Sequence, residues 1–270
     1  MVVFPNAKIN LGLHVVKKRE DGFHDIETVF YPLNLLEVLE LLPSDTQKST
    51  FSSSGINIPS NEEGNLVLQA YNLLAKDFAL PSFQFRLHKL IPIGAGLGGG
   101  SADASFTIKA INTECELGLD EDEMEKYATK LGSDCPFFIR NHVTCATGKG
   151  DVFHDVKCSL KGKYLLLINP KIHVSTALAY SGVIPEQRNI SIPQILSQPI
   201  DQWKNSLGND FEKSVFETYP ELAELKDKIY AKGALYASMS GSGSTMYGIF
   251  DEKPNTDEVD SYFCWILPLS

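Results

Sequence analysis

The sequence has no long hydrophobic run and little that marks a secreted protein or a metalloprotein. No apolar stretch in the 270 residues approaches the roughly 20 residues that a membrane-spanning helix needs, so no membrane partner is expected. The N-terminus enters a strand pattern at once, which leaves no room for a signal or transit peptide and predicts a cytoplasmic location. The five cysteines form no C-x-x-C pair, so neither a disulfide framework nor a zinc site is expected.

The chain is also poor in positive charge. Its 24 Lys and Arg are outnumbered by 34 Asp and Glu, which gives a formal net charge of −10. Nucleic acid is therefore not an expected partner, because a phosphate backbone requires a basic surface. An anionic small molecule has to be held by local amides and a few lysines, against the overall field of the protein.

Glycine, by contrast, is concentrated in one segment, residues 92–102, where five glycines fall within seven positions. Such density leaves the backbone amides unshielded, so successive N–H groups can surround an anion. The alternating stretch 83–87 before it predicts a strand, and Ser101 predicts the N-cap of a helix over 101–116. A strand, a glycine loop and a helix N-terminus together favour phosphate binding. The candidate nucleotide-binding residues are Pro92, Ile93, Gly94, Ala95, Gly96, Leu97, Gly98, Gly99, Gly100, Ser101 and Ala102.

Three other interpretations of this segment fit less well. A Walker loop requires a lysine where Gly100 stands. Gly94, Gly96 and Gly99 satisfy the G-x-G-x-x-G pattern of a dinucleotide-binding fold. That fold also requires a second strand after the helix, whereas residues 113–118 resemble the end of a helix. A tight turn needs one or two glycines, not five.

Three further segments can be compared with the glycine loop. They are P-N-A-K-I-N-L-G-L-H-V at 5–15 with D-G-F-H at 21–24, G-S-D-C-P-F-F at 132–138, and S-M-S-G-S-G-S-T at 238–245. Together the four segments resemble motifs of the GHMP kinases, and within them the branch that phosphorylates 4-diphosphocytidyl-2-C-methyl-D-erythritol in the non-mevalonate isoprenoid pathway. The glycine motif is specific to the superfamily, whereas A-K-I-N-L with D-G-F-H narrows the resemblance to the branch.

The resemblance implies an α+β protein with the two-lobed GHMP kinase fold. The N-terminal, nucleotide-binding lobe, resembling domain 2 of ribosomal protein S5, is expected over residues 1–157. A ferredoxin-like C-terminal lobe is expected over residues 158–270. ATP and Mg²⁺ are the implied cofactors, although the sequence identifies no magnesium ligand, and a monomer or weak homodimer is expected.

Two residues carry the implied chemistry of phosphoryl transfer. By resemblance, Asp134 accepts the proton of the attacking 2-hydroxyl group, and Lys8 hydrogen-bonds Asp134 or that hydroxyl. Taken without the resemblance, Asp134 is a turn aspartate that binds nearby N–H groups. Lys8 lies on the polar face of a predicted strand over 9–15, and by itself it is typical of a solvated surface lysine.

A second set of residues is implied to bind the cytidine substrate. His24 is expected to bind the base, with Phe23 and Tyr180 as the aromatic rings on either side, and Asn10 and Thr176 fall at substrate-contacting positions. Phe23 departs from the tyrosine usual in the family, but stacking needs only the ring. Without the resemblance, Phe23 and Tyr180 are interpreted as aromatic residues that pack in the hydrophobic core. The serine-glycine loop at 240–244 is expected to support the glycine loop.

Two alternatives stay open at this point. The chain resembles a GHMP kinase, so mevalonate, homoserine or a sugar is a possible substrate, and only the cytosine-binding residues separate these cases. A non-catalytic binding module with the S5-like fold is the other alternative. The net charge of −10 and the presence of both Lys8 and Asp134 weigh against it.

Overall fold

The computed structural model describes residues 1–46, 48–58, 64–255 and 262–269. The chain forms two compact units, each assembled from several segments. The first comprises residues 1–7, 35–93 and 98–142, and the second comprises residues 8–34, 94–97 and 143–270. The boundary predicted after residue 157 lies within the second unit and stays a prediction. In the described part of the chain, no helix has the length and apolar character needed to cross a membrane.

Strands and helices are mixed along the chain. The strands are β1 (Val2–Val3), β2 (Asn6–Lys18), β3 (His24–Leu36), β4 (Val38–Pro43), β5 (Thr50–Gly55), β6 (Phe83–Lys89), β7 (Thr144–Thr147), β8 (Val152–Asp155), β9 (Tyr164–Asn169), β10 (Tyr236–Met239), β11 (Met246–Phe250) and β12 (Phe263–Pro268). The helices are α1 (Leu66–Leu74), α2 (Gly99–Glu114), α3 (Glu121–Thr129), α4 (Phe137–Arg140), α5 (Thr176–Ser181), α6 (Ile192–Leu196), α7 (Ile200–Trp203), α8 (Phe211–Thr218) and α9 (Pro220–Ala231).

The first unit packs helices against a sheet of order β1-β4-β6-β5, in which the β1–β4 and β4–β6 pairs are antiparallel and the β5–β6 pair is parallel. Phe83, Phe85 and Leu87 alternate along β6 into the core, where residues of α1, α2 and α3 cover them. Helix α1 begins where Asn65 accepts hydrogen bonds from the backbone N–H groups of the first turn. Strand β6 therefore directs the chain into the glycine loop from a fixed, buried position.

The second unit contains two sheets, of order β10-β11-β9-β12 and β2-β3-β7-β8. Counted within its own sheet, the first runs 2-3-1-4 with every described pair antiparallel, which is the ferredoxin-like arrangement. Helix α9 packs on β10 and β11 through Leu222, Leu225 and Ile229. The turn between β10 and β11 carries the serine-glycine segment 240–245, so this loop extends from the end of a buried hairpin.

Candidate functional site

The first half of the glycine loop, residues 94–97, is fixed through its carbonyl groups. Three successive carbonyl oxygens accept hydrogen bonds from other parts of the second unit: Ala95 from Thr245 N at 3.3 Å, Gly96 from Ser240 Oγ at 2.8 Å, and Leu97 from Lys8 N at 2.9 Å. The predicted support of the glycine loop by the serine-glycine loop is therefore present as direct contact. Each of these bonds holds the backbone in a single position before any ligand is bound.

Gly96 is the residue at which the two loops approach most closely. Its φ is +77°, a left-handed conformation that side chains disfavour. A Cβ at this position would lie 1.9 Å from the carbonyl oxygen of Ser240, far inside van der Waals contact. The close approach therefore requires glycine on steric grounds as well as conformational ones.

The second half of the loop belongs to the first unit and leads directly into α2. The helix begins at Gly99, with Gly98 as N-cap at φ +72°, and no side chain caps this end. The prediction that Ser101 is the N-cap is wrong, because the left-handed Gly98 starts the helix three residues earlier. An uncapped N-terminus leaves the first amides of α2 for a ligand, with the positive end of the helix dipole behind them.

Asp134 lies half-buried in the turn between α3 and α4. This turn is attached to the first two turns of α2, because Ser105 Oγ donates to the carbonyl of Cys135 at 2.6 Å. Burial raises the pKa of the Cys135 thiol to about 11, the hydrogen bond with Ser101 opposes the rise, and the charge of Asp134 adds to it. The carboxylate is thus held beside the N-terminal part of the helix that follows the glycine loop.

Lys8 and Asn10 lie next to each other on β2 in the second unit. Both side chains are only 3% exposed, so Lys8 is not the solvated lysine that its alternation pattern suggests. Its ammonium donates to Asn10 Oδ1 at 2.6 Å and lies 4.9 Å from the centre of the Phe30 ring. Asn10 in turn donates to Thr28 Oγ1 at 2.9 Å. Asn10 and the Phe30 ring therefore fix the position of the Lys8 ammonium on β2.

His24 and Tyr180 come together although they are far apart in sequence. Their rings stack with centroids 4.8 Å apart and an interplanar angle of 21°, and Phe211 packs edge-on against Tyr180 at 4.6 Å. Tyr180 thus contacts His24 and also packs, partly buried, against the hydrophobic core of the second unit. Thr176 is exposed at the start of α5, one helical turn before Tyr180, so both lie on one side of that helix.

Phe23 has a different environment from these two rings. Its side chain is 59% exposed, and Lys149 Nζ lies over the ring at 5.1 Å. An exposed aromatic ring beside a cation is available for a flat ligand, with the cation suited to a phosphate. The core-packing interpretation of Phe23 is therefore wrong.

Asn209 is a residue of this region that the sequence did not single out. It is 5% exposed, and its amide donates at 2.8 Å to the carbonyl oxygens of both Met239 and Gly241. Its own carbonyl accepts from the N–H of Phe211 at 3.0 Å. Asn209 therefore fixes the two ends of the turn that begins the serine-glycine loop. The available signal was an asparagine immediately before a helix, which by itself indicates only a cap.

The same relatives appear in comparisons of sequence and of structure. A family model described as the GHMP kinases N terminal domain matches residues 65–142, and one described as GHMP kinases C terminal matches residues 191–263. A 4-diphosphocytidyl-2-C-methyl-D-erythritol kinase of Bacteroides fragilis is 48% identical, covering 98% of this chain and 98% of its own length. A protein of the same name from Cytophaga hutchinsonii is 51% identical, covering 95% and 94%.

Solved structures agree with this grouping. The crystal structure of a 4-(cytidine 5'-diphospho)-2C-methyl-D-erythritol kinase matches with a TM-score of 0.82 and 28% identity, covering 100% of this chain and 99% of the other. The mevalonate kinase of Methanococcus jannaschii matches with a TM-score of 0.72, covering 100% and 98%, but is only 12% identical. At that identity the likeness concerns the fold alone, and it confirms the α+β class predicted from the sequence.

Proposed function

This chain belongs to the GHMP kinase family, and we propose that it transfers the terminal phosphoryl group of ATP to the 2-hydroxyl of 4-diphosphocytidyl-2-C-methyl-D-erythritol. The observation that carries the proposal is the 48–51% identity to kinases named for this substrate, over nearly the whole chain. The structural likeness to a kinase of the same name supports it. The mevalonate kinase of Methanococcus jannaschii is only 12% identical, which does not support the mevalonate alternative, and a non-catalytic module does not account for kinases as relatives.

The glycine loop and the start of α2 are the proposed holders of the ATP phosphates. The residues assigned to this role are 92–102, as the sequence suggests. The left-handed Gly96 and Gly98, at φ +77° and +72°, turn the backbone in the way that anion-binding concavities require. The uncapped helix N-terminus supplies further amides and a favourable dipole.

Asp134 and Lys8 are the proposed catalytic residues. Asp134 accepts the proton of the substrate hydroxyl, which turns a weak nucleophile into one able to attack the terminal phosphorus. Lys8, held by Asn10 at 2.6 Å, supplies a fixed positive charge for the anionic groups of the reaction. The protein contributes charge and position, which is what phosphoryl transfer requires.

The aromatic pair is the proposed binding region for the cytosine base. His24 binds the polar edge of the base, while Phe23 and Tyr180 provide the stacking surfaces. Asn10 and Thr176 are proposed as polar contacts for the remainder of the substrate. Tyr180 stacks directly on His24 at 4.8 Å, so a base can stack on that face of Tyr180 only after one of these two rings changes rotamer.

Magnesium is proposed as the metal that accompanies ATP. Among the described residues, no group of three or more His, Cys, Asp and Glu is arranged to hold a metal ion, so the residues do not form a dedicated magnesium cage. Mg²⁺ commonly retains several waters and binds substrate phosphates instead. We also propose a cytoplasmic monomer or weak homodimer.

The decisive experiment is a substrate panel combined with one catalytic variant. Phosphate transfer from ATP is measured with 4-diphosphocytidyl-2-C-methyl-D-erythritol, mevalonate and homoserine as acceptors, and only the first is expected to turn over rapidly. Asp134→Asn should lower kcat by on the order of 10²–10⁴ while the KM for ATP changes little. The exposed Asp227→Asn on α9 is the matched control and should keep wild-type kcat. Near-native kcat in Asp134→Asn would show that Asp134 is only a turn residue.

A further inference from the structure

Three charged side chains are buried together beneath the start of α2 in the first unit. Lys89 Nζ donates to Glu37 Oε2 at 2.8 Å and to Asp103 Oδ2 at 2.7 Å. The three side chains are only 2%, 0% and 5% exposed, respectively. Charges so completely removed from water are costly unless they are paired and hydrogen-bonded. We refer to these three residues as the charge cluster.

The charge cluster lies directly behind the glycine loop. A Cβ on Gly99, the first residue of α2, would lie 3.1 Å from Lys89 Nζ. Asp103 stands one turn further along the same helix. The second oxygen of Glu37 accepts from Ile91 N at 2.8 Å, in the short segment that joins β6 to the loop. All three residues thus connect to the backbone that enters or leaves the phosphate-binding segment.

The cluster has an excess carboxylate. With every group ionised it carries one positive and two negative charges, a net charge of −1 in the interior. Asp103 Oδ1 is buried and has no hydrogen-bond partner among the described residues. A proton held between the two carboxyl groups removes the excess charge and gives the oxygens of Asp103 a second donor.

We propose that this charge cluster positions the glycine loop for the nucleotide, and that loss of the proton shared by Glu37 and Asp103 weakens nucleotide binding. With the proton present, Lys89 is balanced by one carboxylate and the interior behind the loop is neutral. Without it, a negative charge lies behind amides that must hold the negative phosphates. The inference rests on the proposed function, since it places ATP at this loop.

The groups packed around Glu37 determine the direction in which its pKa is shifted. Burial, most strongly, and the charge of Asp103 on α2 raise the pKa of Glu37, Lys89 on β6 lowers it, and the net result is a pKa of about 8. The carboxyl is therefore neutral below about pH 8 and ionised above it. We expect the affinity for ATP to fall as the pH rises through this value.

The test compares ATP dissociation constants, measured by titration calorimetry between pH 6.5 and 9.5, in the wild type and three variants. In the wild type the dissociation constant should increase by roughly three- to tenfold from pH 7 to pH 9, since one unit charge acts in a medium of low effective dielectric. Glu37→Gln replaces the carboxyl by an amide that does not ionise, so this increase should be absent. Glu40→Gln replaces a half-buried carboxyl of β4 that pairs with Arg86 at 3.6 Å, outside the charge cluster. It is the matched control and should keep the wild-type profile.

Asp103→Asn provides an independent route to the same result. It leaves Lys89 and Glu37 as a balanced pair, so the pKa of Glu37 should fall and the increase between pH 7 and 9 should again be absent. This variant keeps the test valid if Glu37→Gln does not fold. A merely structural role would change stability or affinity equally at all pH values, and would not alter the profile.

The free energy of unfolding without nucleotide supplies a second readout. The folded-state pKa of about 8 lies above the ordinary value of 4.5, so the folded state binds more protons than the unfolded state between these values. The contribution of Glu37 to stability therefore falls as pH rises from about 4.5 to 8 and is constant above. Glu37→Gln should remove this part of the slope.

The possible results are distinguishable. Identical pH profiles in wild type, Glu37→Gln and Asp103→Asn, all binding ATP, would overturn the role of the charge cluster and leave the proposed function intact. A folded wild type that binds no ATP at any pH would overturn the proposed function, and this inference with it. A pH-dependent loss in the wild type that both variants abolish supports the inference.

Discussion

Replacing Gly96 by alanine is the sharpest test of how the glycine loop is held. The new Cβ would lie 1.9 Å from the Ser240 carbonyl oxygen, whereas ordinary contact needs 3.4 Å, so one backbone has to move by 3.4 − 1.9 = 1.5 Å. The oxygen cannot move alone, because Ser240 N donates to Thr245 O at 2.9 Å. Asn209 holds the carbonyls on either side. We therefore expect the glycine loop to be displaced instead.

The cost of Gly96→Ala can be divided into parts. A left-handed alanine costs about 1–2 kcal/mol, forced displacement in a packed region about 1–3 kcal/mol, and loss of the Ser240 hydrogen bond about 0.5–1.5 kcal/mol. Together these parts should lower the free energy of unfolding by about 2.5–6.5 kcal/mol. Affinity for ATP should fall by at least about tenfold, because misplaced amides no longer converge on the phosphates.

Gly162→Ala is the matched control for this substitution. Gly162 also lies in the second unit and has a φ of +82°, but a Cβ there meets nothing within 4 Å. Gly162→Ala should therefore lower the free energy of unfolding only by the cost of a left-handed alanine, about 1–2 kcal/mol. The affinity for ATP should be unchanged. Denaturant unfolding and ATP titration on both variants measure the comparison. Equal stability losses and equal ATP affinities would refute the argument that the close approach positions the loop.

Two further predictions concern the substrate region and the serine-glycine loop. His24→Ala should weaken the cytidine substrate by roughly 1–3 kcal/mol and Tyr180→Ala by a similar amount through lost stacking, whereas Tyr180→Phe should retain the ring and most of the affinity. Competition by CMP measures both, and wild-type competition in His24→Ala would contradict the base-binding role. Asn209→Ala should lower the free energy of unfolding by about 2–4 kcal/mol, because two buried carbonyls lose their donor, and should raise the KM for ATP. The exposed Asn205→Ala serves as control in the same unfolding and kinetic assays, and equal effects at the two positions would contradict this role.

Local patterns predicted the elements around the glycine loop well, but they did not predict how the helix begins. Alternation in 83–87 identified β6, which extends to Lys89. The start of α2 was misplaced because the usual rule looks for a capping side chain. Here a left-handed glycine begins the helix without capping its first amides, and the conformation of a glycine cannot be predicted from its identity.

The sequence also did not predict which polar side chains are buried. Lys8 alternates with apolar neighbours along β2, which is the pattern of an exposed lysine. Its side chain is buried because other parts of the fold pack against that face of the strand. The charge cluster joins positions 37, 89 and 103, whose separations follow no period. Conversely, α6 carries a recognisable signal, since Ser191 and Gln194 form a capping box.

The inward hydrogen bonds of the glycine loop have a consequence for ion selectivity. Three successive carbonyl oxygens, from Ala95 to Leu97, already serve as acceptors for other groups of the second unit. A hard cation requires such oxygens as ligands, so this stretch offers little coordination to a bare metal or an ammonium ion. Backbone N–H groups, in contrast, are donors and can bind only acceptors. In the proposed phosphate-binding role, the loop would therefore select by sign of charge through the orientation of its peptide groups, with no charged side chain in residues 92–102. A chain of net charge −10 would then attract a polyanion locally.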